Sequence, residues 1–159
     1  MYGFGDMIAK LKANPKTIVF TEGEDERILE AASRLLASNF LKPILLGNPD
    51  VINKTAEEAG YNIRGANIID PANYPDFEEM VAEFVELRKS KGMTPEKARE
   101  ILSQSNYFGT MLVKMKKADC LLGGATYSTG ASCSRSLTAP GWAFASLRWW
   151  RAASSSPAG

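Results

Sequence analysis

The chain has 159 residues, 45% of them hydrophobic and 23% charged, a globular balance at a length that allows one ordinary domain. A net charge of +1 supplies no field for nucleic acid, and no apolar run approaches the roughly 18 residues that cross a bilayer. Histidine is absent, which excludes histidine triads, histidine metal sites and the usual proton shuttle, and leaves arginine and backbone amides to hold a polar substrate.

In chain order, the opening MYGFGDMIAKLK lacks the basic flank, long apolar stretch and cleavage site of a secretory signal. Two cysteines form neither a metal nor a disulfide pattern, so a reducing cytoplasm is expected. Thr17 to Thr21 reads as a strand, and the apolar spacing of Ile28, Leu29, Ala32, Leu35 and Leu36 reads as one face of a helix. Pro43 to Leu46 is a second strand closed by the turn cluster Gly47-Asn48-Pro49, with a short helix from Asp50 to Ala59 ending at Gly60. Asn67 to Ile69 is a third strand. From Asp76, the residues Phe77, Met80, Val81, Phe84, Val85 and Leu87 mark an amphipathic helix that ends at Gly92. Thr94-Pro95-Glu96 starts another helix, with threonine as cap and proline in the first turn. Tyr107 to Lys117 is a further apolar helix, and Ala118 to Leu122 a candidate buried strand opening into Gly123-Gly-Ala-Thr-Tyr-Ser-Thr129. Strands alternating with helices predict a three-layer α/β/α arrangement with a mainly parallel sheet and a ligand crevice at the strands' carboxyl ends.

After Thr129 the character of the chain changes. All 18 acidic residues precede that point and all three tryptophans follow it, while the last thirty residues carry Arg135, Arg148 and Arg151 against no acid. The expected organisation is therefore an incomplete domain over 1–129 followed by an irregular, disordered tail over 130–159 whose tryptophans are an aggregation liability. So abrupt a switch suggests a frameshift or misassembled reading frame after Thr129, the alternative being a native tail.

Three groups of residues have chemistry to offer. The two glycines of the Gly123–Thr129 stretch let backbone approach a ligand, and Thr126, Tyr127, Ser128 and Thr129 add hydroxyls, which suits an anion; the same residues also suit a plain strand-to-helix connection. It has neither the lysine of a Walker loop nor the GxGxxG pattern. Arg88, eleven residues beyond Phe77, returns to the apolar stripe and needs a partner: it either binds phosphate in a bidentate fork or, with Lys89 and Lys91, complements the helix dipole. Glu22, Glu24, Asp25 and Glu26 suggest either a metal site or the acids expected before and within a helix's first turn, where Thr21 and Glu24 have capping-box spacing. Arg27 faces either ligand or solvent, Cys120 reads as a small core residue, and Phe108 and Met111 read as packing.

The blocks Phe20-Thr-Glu-Gly-Glu-Asp-Glu-Arg27, Pro43-Ile-Leu-Leu-Gly-Asn48, Glu86-Leu-Arg88-Lys-Ser-Lys-Gly-Met-Thr-Pro-Glu96, Tyr107-Phe-Gly-Thr-Met111 and Ala118-Asp119 through Thr129 together resemble the phosphate acetyltransferase family, over about residues 5 to 129. The resemblance implies reversible acetyl transfer between coenzyme A and inorganic phosphate, with acetyl-CoA and acetyl phosphate as partners and no metal or permanently bound cofactor. It implies that Arg88, Gly124, Thr126, Ser128 and Thr129 line the coenzyme A and phosphate cleft, and it suggests a homodimer. Phosphate butyryltransferases share much of the pattern, and a non-catalytic interaction fragment is an alternative from another class. A generic nucleotide-binding α/β module is a third. The family's motif continues with Asp-Thr and Arg-Pro steps where this chain has Gly130-Ala-Ser-Cys-Ser-Arg135, and Arg135 is not equivalent to the family's arginine. The family's catalytic serine, arginine and aspartate belong to a C-terminal segment with no counterpart here, so the chain is expected to be inactive alone.

Overall fold

A computed structural model describes residues 4–89 and 92–125. Thr126, Ser128, Thr129 and the whole tail expected to be disordered lie outside the described residues.

A helix that the sequence reading did not identify, α1 (Phe4–Ala13), leads into β1 (Lys16–Phe20). There follow α2 (Glu26–Ser38), β2 (Leu41–Leu46), α3 (Pro49–Glu58), β3 (Asn67–Ile69) and a 3-10 turn over Pro71–Asn73. The remaining elements are α4 (Phe77–Arg88), α5 (Pro95–Leu102), α6 (Ser105–Lys114) and β4 (Cys120–Leu122).

Local chemistry sets the boundaries. The Asp25 carboxylate accepts from the Arg27 amide at 2.9 Å and starts α2, which Asn39 ends in a left-handed conformation at φ 52°. Asn48 accepts from the Asp50 amide at 2.9 Å, with Pro49 in the first turn of α3. Thr94 caps α5 as the sequence suggests, accepting from the Lys97 amide at 3.5 Å. The expected Thr21–Glu24 capping box does not form. Asp25 has taken the cap, and Glu24 instead reaches across to accept from the Asn48 amide at 2.9 Å.

All four strands run parallel in the order β3-β2-β1-β4. Pro43 has no N–H to donate, and it lies in register with Ile18, one residue before β2 begins to pair with β3 at Ile44 and Asn67. Period-two alternation divides the strand side chains between two cores. Phe20 and Leu45 pack with Leu29, Ala32, Ile52 and Ala56 from α2 and α3. Val19, Ile44 and Leu46 pack with Met80, Phe84, Ala98, Leu102, Phe108 and Met111 from α4, α5 and α6. Helices on both faces of a parallel sheet make the three-layer α/β/α fold. Full burial of a large apolar side chain contributes roughly 1.5–3 kcal/mol, so β1 and β2, each central and covered on both faces, anchor the domain.

β4 differs from the buried strand expected of its sequence. Cys120 is exposed and Leu122 is 49% exposed, because β4 is the outer strand of the described sheet and pairs only with β1. Cys120 is therefore not a core residue. Although the residue is exposed as a whole, its sulfur turns toward the Thr17 carbonyl at 3.7 Å, and this desolvation, with the Asp119 charge, pushes the thiol above its ordinary range. Polar bonds add to the packing of Leu121 and Ala118 in holding β4. The Asp119 carboxylate accepts from the Thr17 amide at 2.8 Å and from Lys16 Nζ at 3.0 Å, while its own amide donates to the Thr17 carbonyl at 3.0 Å.

Gly23 marks the tightest backbone approach. Its amide donates to the Leu46 carbonyl at 3.0 Å, and a Cβ there would stand 2.7 Å from that same oxygen and 3.0 Å from Leu45 Cβ. Backbone and strand core cannot yield as a flexible side chain would. Gly23→Ala should lower stability by about 1–3 kcal/mol, read as a fall in the urea midpoint. Gly5→Ala, on the exposed face of α1 with nothing within 4 Å, should leave that midpoint unchanged or raise it.

Candidate functional site

Strand order reverses between β1 and β4, since the chain moves outward from β1 through β2 to β3 and then returns to the other side of β1. In open parallel sheets the crevice beyond the carboxyl ends at such a reversal is where ligands bind. Thr21, Glu22 and Gly23 leave β1 there, and Gly123, Gly124 and Ala125 leave β4.

The two turns are joined by specific bonds. The Thr21 amide donates to the Leu122 carbonyl at 3.3 Å, continuing the β1–β4 pairing past its last register pair, Phe20 and Leu122. The Glu22 carboxylate, only 8% exposed, accepts through Oε2 from the Gly124 amide at 2.8 Å and the Ala125 amide at 2.7 Å. Arg27 stands at the start of α2, with its guanidinium in a fork on Asp25 at 2.9 and 2.7 Å and Nη2 donating to the Ala125 carbonyl at 3.1 Å. Of the two settings open to Arg27 from sequence, ligand or solvent, the structure shows a solvent-exposed side chain whose Nη2 also reaches the Ala125 carbonyl. The Arg27 fork is also the largest influence holding the Asp25 carboxyl below its ordinary range.

Glycine is needed in the β4 turn for two different reasons. A Cβ on Gly123 would run into Thr21 Oγ1, so the chain can cross the end of β1 only without a side chain there. Gly124 has φ 105°, and a Cβ on it would meet nothing within 4 Å. Backbone conformation, not crowding, requires that second glycine, and its open side faces free space. Thr21 itself is buried, with an Oγ1 that has no partner among the described residues.

Arg88 lies in the last turn of α4 and is 8% exposed, as the apolar stripe predicted. Its guanidinium carbon sits 5.5 Å from the centroid of the Phe84 ring, and Nη2 is buried with no hydrogen-bond partner among the described residues. A buried cation without a full set of acceptors is costly, and so is unusual unless something else supplies them. Among the described residues no hydrogen bond or ion pair joins Arg88 to the Gly123–Ala125 turn. A cavity of about 420 Å³ lies elsewhere, against the β3 edge between Ile44, Ile69, Tyr74 and Lys117, and neither Arg88 nor Gly124 lines it.

The acidic cluster at the start of α2 is dispersed among separate donors. Glu22 goes to the Gly124 and Ala125 amides, Glu24 to the Asn48 amide and Asp25 to Arg27. Among the described residues no three potential ligands gather as a metal site would require. Phe108 and Met111 are fully buried packing residues. The sequence reading missed the part played by Glu22, because its two donors lie 102 and 103 residues away and no local pattern announces them.

At the opposite end of the β1–β4 pair, the bond from the Thr17 amide is the main cause holding the Asp119 carboxyl below its ordinary range, with Lys16 adding to it. A carboxyl whose folded pKa lies below its unfolded value stabilises the fold fully above the unfolded value, and that stability is lost as pH falls through the folded one. Stability of the chain should therefore decline as pH drops below about 4. Asp119→Asn should be less stable at neutral pH and show a shallower acid decline, checked by urea midpoints across pH.

Residues 4–144 match the family model described as Phosphate acetyl/butaryl transferase, a match that runs past Thr129. The chain is 45% identical over 126 residues to the phosphate acetyltransferase of Bacillus subtilis strain 168, covering 79% of this chain and 39% of that relative. Identity to the phosphate acetyltransferase of Staphylococcus aureus strain Mu50 is also 45%, over 121 residues. A crystal structure of a phosphotransacetylase from Streptococcus pyogenes superposes with a TM-score of 0.76 at 41% identity, covering 81% of this chain and 39% of that one. EutD phosphotransacetylase from Staphylococcus aureus superposes with a TM-score of 0.71 at 41% identity. The chain thus spans about 39% of the length of the curated relatives it matches.

Proposed function

Because the chain belongs to the phosphate acetyl/butyryl transferase family, we propose that it is the coenzyme A- and phosphate-binding front part of a phosphate acetyltransferase. Arg88, Gly124, Thr126, Ser128 and Thr129 are the residues assigned to that cleft. The observation that carries the reading is the buried Arg88 guanidinium with its unpartnered Nη2. Phosphate oxygens accept two parallel N–H bonds from such a group, and a site held away from water strengthens them.

The reaction proposed for the whole enzyme is acyl transfer. A base takes the proton of the coenzyme A thiol, the thiolate sulfur bonds to the acetyl carbonyl carbon of acetyl phosphate, and the carbon–oxygen bond to phosphate breaks. Phosphate leaves with the electron pair, and cationic and N–H donors stabilise the charge that develops on it. The part of this chain is to bind and orient. Gly124 contributes through the open side of its left-handed backbone, since its amide is already committed to Glu22. None of the described residues is assigned the base, and this polypeptide alone is expected to bind substrates without turning them over. Acetyl in preference to butyryl accords with the relatives named above, all of them acetyltransferases or phosphotransacetylases.

Two measurements test this. Calorimetry should detect coenzyme A binding to the 159-residue chain, while an assay of coenzyme A thiol consumption with acetyl phosphate as donor should show no turnover. Robust turnover would refute the partial-enzyme reading, and absence of coenzyme A binding would refute the assigned cleft. Arg88→Met should separate function from fold. Affinity should drop about tenfold or more with the loss of a charged donor pair, whereas stability should hold or rise by about 1 kcal/mol as the buried charge is removed. A loss of stability with unchanged affinity would make Arg88 a structural residue only.

A further inference from the structure

We infer that Glu22 is a positioning residue, whose carboxylate clamps the Gly124–Ala125 backbone and so holds Gly124, a residue of the assigned cleft, in one orientation. The inference rests on the assignment of Gly124 to the coenzyme A and phosphate cleft. No contact of Glu22 with substrate is involved.

Two consecutive N–H groups converging on one carboxylate oxygen form the arrangement by which backbone ordinarily holds an anion, and here the anion is supplied by the protein itself. Bonds of 2.8 and 2.7 Å to a charged acceptor belong to the stronger class of hydrogen bond. The ordinary explanation for an acid ahead of a helix does not apply, because Asp25 accepts the amide bond that caps α2, while Glu22 turns toward β4. Burial to 8% exposure also sets Glu22 apart from a solvated surface acid. Ala125 is gripped from both sides, its N–H by Glu22 and its carbonyl by Arg27 at 3.1 Å. The β1–α2 turn therefore fixes both polar groups of the last residue before Thr126. With Gly124 at φ 105°, where the backbone has unusual freedom, an external hold keeps the Gly124–Ala125 turn in one conformation.

Glu22→Ala and Glu22→Gln in the 159-residue chain test the inference. In Glu22→Ala the amide protons of Gly124 and Ala125 should move upfield in NMR spectra and exchange with solvent about tenfold faster or more. Coenzyme A affinity should weaken about tenfold in the same variant, with the melting temperature measured in parallel. Glu22→Gln keeps an acceptor oxygen in place and should restore affinity to within about threefold of the unsubstituted chain. A purely structural role would track the melting temperature and show no such rescue.

Unchanged Gly124 and Ala125 amides in Glu22→Ala would overturn the inference, as would unchanged coenzyme A affinity in that variant. Should Glu22→Ala not fold, an acid titration of the unsubstituted chain decides. The two amide protons and the Glu22 carboxyl carbon should then shift with one common midpoint, and separate midpoints would contradict the clamp. If the unsubstituted chain binds no coenzyme A while those amides still respond to Glu22, the assigned cleft fails and the clamp stands.

Discussion

The return of β4 to the free side of β1 is the constraint on which the rest of the structure depends. A three-residue strand with Leu122 half exposed buries too little apolar surface to be held by hydrophobic packing alone. Polar bonds at both ends take over that task. Asp119 joins the start of β4 to Thr17 and Lys16, and Glu22 joins its far end to β1. These carboxylates, with donors more than a hundred residues distant in sequence, reinforce the β1–β4 pairing that reverses the strand order.

Small residues make the geometry possible. Thr21 ends between Gly123 on the β4 turn and Gly109 on α6, where added Cβ atoms would press on the threonine side chain. α6 can thus lie close over the switch point, and the β4 turn can cross the end of β1. A fold built this way places backbone, and not bulky side chains, at the mouth of the crevice.

Much of the fold was legible in the sequence because hydrophobic periodicity is a local property. The strands read at Thr17 to Thr21, Pro43 to Leu46 and Asn67 to Ile69 correspond to Lys16–Phe20, Leu41–Leu46 and Asn67–Ile69, and the helices between them follow from apolar spacing, the Gly47-Asn48-Pro49 turn and the Thr94 cap. The burial of Arg88 was legible for the same reason. What escaped depends on partners remote in sequence. An apolar run such as Cys120-Leu-Leu does not reveal whether its strand is central or outer, and the cap of α2 went to Asp25 because Glu24 and Glu22 found distant amides instead. The resemblance to phosphate acetyltransferases supplied the assignment of the Gly124 turn and Arg88 to one cleft, which spacing alone left undecided.

Hydrogen–deuterium exchange of the 159-residue chain with and without coenzyme A probes most directly whether the end of α4 and the β4 turn serve one ligand. Slower exchange on addition of coenzyme A is expected at both Leu87–Lys89 and Leu121–Ala125. Slowing confined to one of these segments, or found instead around the β3 edge at Asn67–Tyr74, would contradict a shared cleft.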